Sequence, residues 1–359
     1  MRAAAGGRSS FWSRNWKVIV NAITVALLVV FIVLIRGQIA STFTNLGRVH
    51  WQVLLLMLPL VLLSYHAQTK LYVRLFGLIG HRLSYGFMFR AALELNFVNQ
   101  VLPSGGVSGI SYFGVRMRGA GATGAQASLV QVIKLLLLFI SFEVLLVAGL
   151  LALAIAGRAN DFMLLVGGSI TTLLLAGTAT FMLVIGSERR IQTLFEGVTR
   201  LINRLVGVFW RRGREQAITA SRARRVVNDL HNSYKTIEAQ YRQLLVPLLW
   251  AVVTNGAAIL MIYIVYVAFG QWVNIGAVIL AYAVANFAGL VSILPGGAGI
   301  YEALMTGVLV AGGIPAALSL PATVMFRVLS SALQLPPGYV LYRQALRRGG
   351  TQLPLDRQA

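Results

Sequence analysis

Apolar runs near the ~20 residues that cross a bilayer recur from residue 18 to residue 342. Six of them read as full spans: 18–35, 51–65, 126–156, 162–186, 244–269 and 321–342. The second is short and broken by Pro59. Two further units, 91–115 and 276–313, are apolar but interrupted, at Leu102-Pro103-Ser104-Gly105-Gly106 and at Leu294-Pro295-Gly296-Gly297. The pattern predicts an all-α polytopic membrane protein with about six full spans plus two broken helix pairs, roughly six to eight crossings in all. Residues 91–102 reach only about 18 Å as a helix, about half of a ~30 Å hydrocarbon core. A re-entrant hairpin fits that unit, whereas the longer second unit also fits two thin spans. The first run exceeds the core of a signal peptide and no A-x-A site follows it, so it reads as an uncleaved helix with the N-terminus inside.

Composition removes whole classes of function. The chain is 57% hydrophobic and 11% charged, whereas a soluble domain carries about 25% charged residues. An ordinary soluble enzyme and a disordered protein are both excluded. The formal net charge of +21 is first topological, because short cytoplasmic loops retain Lys and Arg; no soluble basic face suited to nucleic acid is present. It also favours anionic lipid headgroups. With no cysteine and four scattered histidines (His50, His66, His81 and His231) neither a metal centre nor another cofactor is expected. Residues 187–243 are the one long hydrophilic stretch, with 12 Lys/Arg against 5 acids. Ile191, Leu194, Phe195, Val198, Leu201, Ile202 and Leu205 recur there at helical spacing. That suits a basic amphipathic helix on the inner leaflet, or else a solvated linker with helical bias.

The two interrupted units repeat one another. Asn96-Phe97 recurs as Asn286-Phe287, Leu102-Pro103 as Leu294-Pro295, and Gly105-Gly106 as Gly296-Gly297. Positive loops place residues 70–90 and Arg116/Arg118 inside, so unit 91–115 enters and leaves from the cytoplasm. The same logic makes unit 276–313 start and finish outside. The chain therefore reads as a single domain, 1–359, with one half at about 51–156, the loop 187–243, and an inverted second half at about 244–342. Many secondary transporters share this architecture.

Pro103 and Pro295 disfavour helix continuation, and Gly105, Gly106, Gly296 and Gly297 admit unusual backbone angles. Non-helical backbone inside a membrane needs protein or a water-filled cavity to satisfy it. Each following half-helix starts there with unpaired N–H groups and a positive dipole, which suits phosphate or carboxylate. Ionisable residues in apolar segments are functional candidates by default. Glu302 follows the second break. Arg327 heads a polar stripe with Thr323, Ser330, Ser331 and Gln334, and Lys134 heads a similar one in the first half with Gln131 and Ser141. Asn96 shares a face with Asn99 and Gln100 before the first break, with Glu94 nearby. Arg327 and Lys134 would offset a phosphate charge, and Glu302 would pair with Arg327 between substrates. For Lys134 and Glu94, snorkelling to the interface is an equal alternative. Asn255 reads as interhelical glue.

The stretch Pro295-Gly296-Gly297-Ala298-Gly299-Ile300-Tyr301-Glu302 resembles the P-G-G-x-G-x-x-E signature of the flippase-like family, that of the transmembrane region of lysylphosphatidylglycerol synthase. Leu102-Pro103-Ser104-Gly105-Gly106 resembles its first-half motif, and Arg327 its basic residue on the last helix. The resemblance implies an inner-membrane lipid translocase and adds Gly299 to the candidate site. The aminoacyl-transfer domain of the larger synthases is not expected here. The resemblance implies as substrate an anionic phospholipid or a polyprenyl-phosphate-linked lipid. No G-x-x-x-x-G-K-[ST] is present, so ATP hydrolysis is not expected. A lipid-phosphate transferase and a subunit recruiting a lipid- or glycan-modifying enzyme remain alternatives, and homo-oligomerisation stays open. Reporter fusions should place both termini and residue 215 in the cytoplasm and residues 157–161 and 270–274 outside. A reporter at 215 on the outer face would contradict the inverted arrangement.

Overall fold

The computed structural model describes residues 49–101, 107–155, 161–185, 239–291 and 299–347, with isolated positions elsewhere. The described residues are helical with connecting turns and no strand. Among the described residues four helical segments are long and apolar enough to cross a membrane: Trp51–Leu78, Gly124–Ile155, Tyr241–Ala268 and Ala316–Arg347. The chain is an all-α polytopic membrane protein. Its helices are α1 (Met57–Leu78, after a short turn at Trp51–Leu54), α2 (Tyr85–Val101), α3 (Val107–Arg118), α4 (Gly124–Ile155) and α5 (Asp161–Ile185). After the basic segment come α6 (Leu245–Ala268), α7 (Ile275–Val291), α8 (Ile300–Ala311) and α9 (Ala316–Arg347). The expected span 18–35 and the amphipathic helix of 187–243 fall largely outside the described residues.

Several boundaries differ from the sequence reading; the first broken unit starts at Tyr85 rather than residue 91, which makes α2 a helix of 17 residues. Pro59 does not break the second span: it lies in the first turn of α1, where its missing N–H has no helical partner to lose. The irregularity falls just before it, at Leu55 and Leu56, and α1 then runs on through Lys70 and Arg74 to Leu78. The last span is likewise longer than 321–342, because α9 continues across Pro321, Pro336 and Pro337.

The repeat is carried by backbone as well as sequence. α2 and α7 are each 17 residues, α3 and α8 each 12, and α4 and α9 each 32. Their stop signals recur too. Gly80 (φ 83°) and Gly270 (φ 73°) take the left-handed conformation after α1 and α6, and His81 N–H and Gln271 N–H reach back to the carbonyls of Phe76 and Tyr266. Gly121 (φ 89°) and Gly313 (φ 84°) do the same after α3 and α8. A residue with a Cβ would be strained at these turns, which explains glycine at each.

Helix packing is reciprocal. α1 and α6, one from each half, form the most extensive pair, while α2 packs on α9 and α7 on α4. Backbone N–H of His50, just before α1, bonds to Ala268 O at the end of α6 (2.8 Å), and the last turns of α1 share a cavity with Arg242 and Val246 at the start of α6. The central pair is therefore antiparallel, as equivalent helices of an inverted repeat must be. At the reciprocal contacts the backbones approach closely. A Cβ on Gly276 of α7 would run into Gly149 O and Leu153 of α4, and one on Gly338 of α9 would meet Leu93 O at 2.9 Å and Phe97 Cβ at 2.7 Å. Gly276→Val and Gly338→Val should each cost roughly 1–3 kcal/mol by overpacking. In a thermal melt of the purified protein both should melt several degrees lower, whereas Gly256→Ala, with nothing within 4 Å of its Cβ position, should not.

Candidate functional site

The halves enclose a cavity of about 330 Å³ between α1, α2, α4, α6, α7 and α9. Its polar wall is built from positions the repeat makes equivalent. Aligning α2 with α7 pairs Asn96 with Asn286, and aligning the ends of α1 and α6 pairs Ser64 with Thr254; all four line the cavity. Among the described residues Lys134 supplies the one charged side chain of the lining. Its ammonium lies 5.0 Å above the Tyr72 ring, whose hydroxyl is held by Gln131 at 2.9 Å, and a cation is attracted to an aromatic face.

The cavity walls are cross-tied between halves. Asn96 Nδ2 donates to Tyr65 OH (2.8 Å) and to Gln334 Oε1 of α9 (2.7 Å). Asn255 Nδ2 donates to Leu138 O (3.2 Å) and Ser141 Oγ (3.0 Å) of α4, the interhelical role expected of it, and it also lines the cavity.

The second cluster sits beside the cavity. Glu302 is 5% exposed, and its two oxygens reach different elements. Oε2 accepts the backbone N–H of Gly299 (2.7 Å), capping α8, and Oε1 accepts Arg327 Nη1 (2.7 Å). Gly299 adopts φ 88°, conformational freedom that explains its place as N-cap. The Arg327 guanidinium lies 4.8 Å over the Tyr301 ring, and the Tyr301 hydroxyl is within hydrogen-bonding reach of Asn286 on the cavity wall. The anion at the start of α8 is thus the protein's own carboxylate, with Arg327 as its counter-charge. Pro103, Gly105, Gly106, Pro295, Gly296 and Gly297 fall outside the described residues.

Arg327 and Lys134 do not meet on one face. Aligning α4 with α9 pairs Lys134 with Phe326, which lines the same cavity, and sets Arg327 one residue on. One residue is about 100° around a helix, enough to turn Arg327 away from the cavity lining and towards Glu302.

Residues 18–338 match the family described as the lysylphosphatidylglycerol synthase TM region. The chain belongs to that family. A UPF0104 membrane protein of Methanothermobacter thermautotrophicus is 38% identical over 71 residues, a match covering 20% of this chain and 21% of that protein. The transmembrane-region family thus accounts for the spans, both halves and the segment between them.

One buried pair escaped sequence reasoning. Glu94 on α2, 1% exposed, receives Arg116 Nε (2.8 Å), Arg116 Nη2 (3.2 Å) and Tyr112 OH (2.7 Å) from α3. The Arg116 guanidinium also lies 4.8 Å from the Phe87 ring, and Tyr112 packs on Tyr342 of α9. Glu94 therefore does not snorkel; it fastens the first broken helix pair. The signal was present as the 22-residue separation of a lone acid from Arg116, but periodicity does not predict which helix faces fold together.

Proposed function

We propose that this chain is an inner-membrane lipid translocase, with both termini cytoplasmic, that passes the headgroup of an anionic phospholipid or polyprenyl-phosphate-linked lipid between leaflets without ATP hydrolysis. The observation that carries the reading is the cavity on the boundary of the two halves, polar on equivalent positions of both and charged only by Lys134. Its volume lies within the roughly 300–1,000 Å³ typical of small-ligand pockets. A headgroup there meets amide and hydroxyl groups that substitute for water, while its acyl chains remain in lipid. Lys134 offsets the phosphate charge, and membership of the transmembrane-region family is consistent with a lipid as cargo.

The Glu302–Arg327 pair has a different part in this mechanism. An ion pair buried among apolar helices costs several kcal/mol of desolvation per ion, which its mutual attraction must offset. It links the N-cap of α8 to α9, so any rocking of α8 on α9 has to keep or break it. As phosphate enters beside Asn286, Tyr301 transmits its approach to Arg327, and the guanidinium exchanges its carboxylate for the headgroup.

Liposomes holding a fluorescent anionic lipid in both leaflets test this, using a membrane-impermeant quencher. Wild-type vesicles should lose nearly all the signal, and protein-free vesicles about half. A lost charge-assisted contact of about 1.5–3 kcal/mol should slow Lys134→Ala by roughly ten-fold or more. Arg327→Ala should abolish exchange while the protein still inserts, and Arg327→Lys should keep part of it, because the charge survives without the planar fork. Loss of the Arg327→Ala protein itself, restored by adding Glu302→Ala, would make the pair structural. Equal competition by anionic and zwitterionic lipids of one chain length would remove the phosphate reading.

A further inference from the structure

A second cavity, of about 750 Å³, opens where the last two turns of α1 meet the start of α6, and it shares no lining residue with the cavity between the halves. Lys70, Arg74, Arg82 and Arg242 line it, and among the described residues no acidic residue does. Lys70 and Arg74 lie one turn apart on one face of α1, Arg82 follows the Gly80 turn, and Arg242 comes from the other half. None of the four has an ion pair among the described residues. Lys70 lies 5.7 Å over the Tyr85 ring and Arg242 5.9 Å over the Tyr241 ring. Four like charges gathered in one cavity repel one another, so the arrangement is favoured by an anion seated among them.

We propose that this cavity binds the phosphate of an anionic phospholipid headgroup in the adjoining leaflet. Three arginines present planar forks suited to phosphate oxygens. The source is lipid rather than water because the cavity sits at the ends of two membrane-length segments, with Val73 and Val246 in its wall. Tyr85 and Tyr241, 41% and 63% exposed, flank it, and exposed tyrosines concentrate at headgroup level. The site is separate from the cavity between the halves and holds whether or not the chain moves lipid: it fixes a headgroup against the antiparallel pair α1–α6, the most extensive contact between the two halves.

The test is binding of dioctanoyl phosphatidylglycerol to the purified full-length chain in neutral detergent. Dioctanoyl phosphatidylcholine and inorganic phosphate serve as the comparison ligands. Each basic residue near an anionic surface is worth about a five-fold factor in affinity. Arg74→Gln/Arg82→Gln/Arg242→Gln should therefore weaken phosphatidylglycerol binding by about a hundred-fold. The equal charge removal Arg118→Gln/Arg343→Gln/Arg347→Gln, at exposed positions outside the cavity, should weaken it far less. Equal loss in both triple variants would reduce the site to diffuse surface charge, and equal affinity for inorganic phosphate would overturn the lipid assignment. The unmodified protein gives an independent reading should the variants not fold. A photoactivatable phosphatidylglycerol should leave adducts within residues 70–83 and 241–246, and adducts confined to other segments would overturn the proposal. Neither measurement involves transport, so its failure is distinct from failure of the translocase reading.

Discussion

Hydrocarbon offers no hydrogen-bond partners, so every charge and every interrupted helix within a bilayer must be satisfied by the protein or by enclosed water. The long helices answer part of that constraint: α2 packs on α9 and α7 on α4, each across the two halves, while α3 packs on α4 and α8 on α9 within their own halves. The close approaches at Gly276 and Gly338 are the consequence, since a backbone covered this tightly leaves no room for a side chain. Between the two halves lies a polar cavity lined by Asn96 and Asn286, Ser64 and Thr254.

The repeat is symmetric in backbone and asymmetric in charge. Aligned helix starts pair Glu302 with Gly109 and Arg327 with Leu135, while Glu94 pairs with Val284 and Arg116 with Leu309. Each half carries one buried ion pair where its counterpart carries glycine or an apolar side chain. The pairs also differ in kind. Glu94–Arg116 joins the two arms of its own hairpin, with Tyr112 as a third donor. Glu302–Arg327 joins the start of a hairpin arm to the long helix after it. The first pair joins α2 to α3, and the second joins α8 to α9.

Much of this was legible in the sequence because membrane segments announce themselves by length and hydropathy. The spans at 126–156, 162–186 and 244–269, the two broken units and the duplicated Asn-Phe motif all follow from the residues alone. The neighbourhood of Glu302 and Arg327 was legible for a local reason: a carboxylate three residues after an N-cap glycine and a cation in an apolar helix have few other uses. Pro59 misled because a proline in the first turn of a helix gives up no intrahelical hydrogen bond. Lys134 and Arg327 stand one residue out of register when α4 and α9 are aligned, about a third of a turn on a helix, which decides what a side chain faces. Glu94–Arg116, the Tyr65–Asn96–Gln334 contact and the basic cavity arise from the meeting of distant helix faces, which no periodicity encodes.

The chain contains no cysteine, so a single introduced thiol reports without background. The most direct test is the labelling rate of Ser64→Cys and of Thr254→Cys, equivalent positions in opposite halves that line one cavity, by a water-soluble thiol reagent in proteoliposomes. Both thiols should react from the aqueous phase. Added phosphatidylglycerol should slow both to a similar degree, and phosphatidylcholine should slow neither. Labelling that anionic lipid leaves unchanged, or slows in one half only, would contradict a headgroup site shared by the two halves.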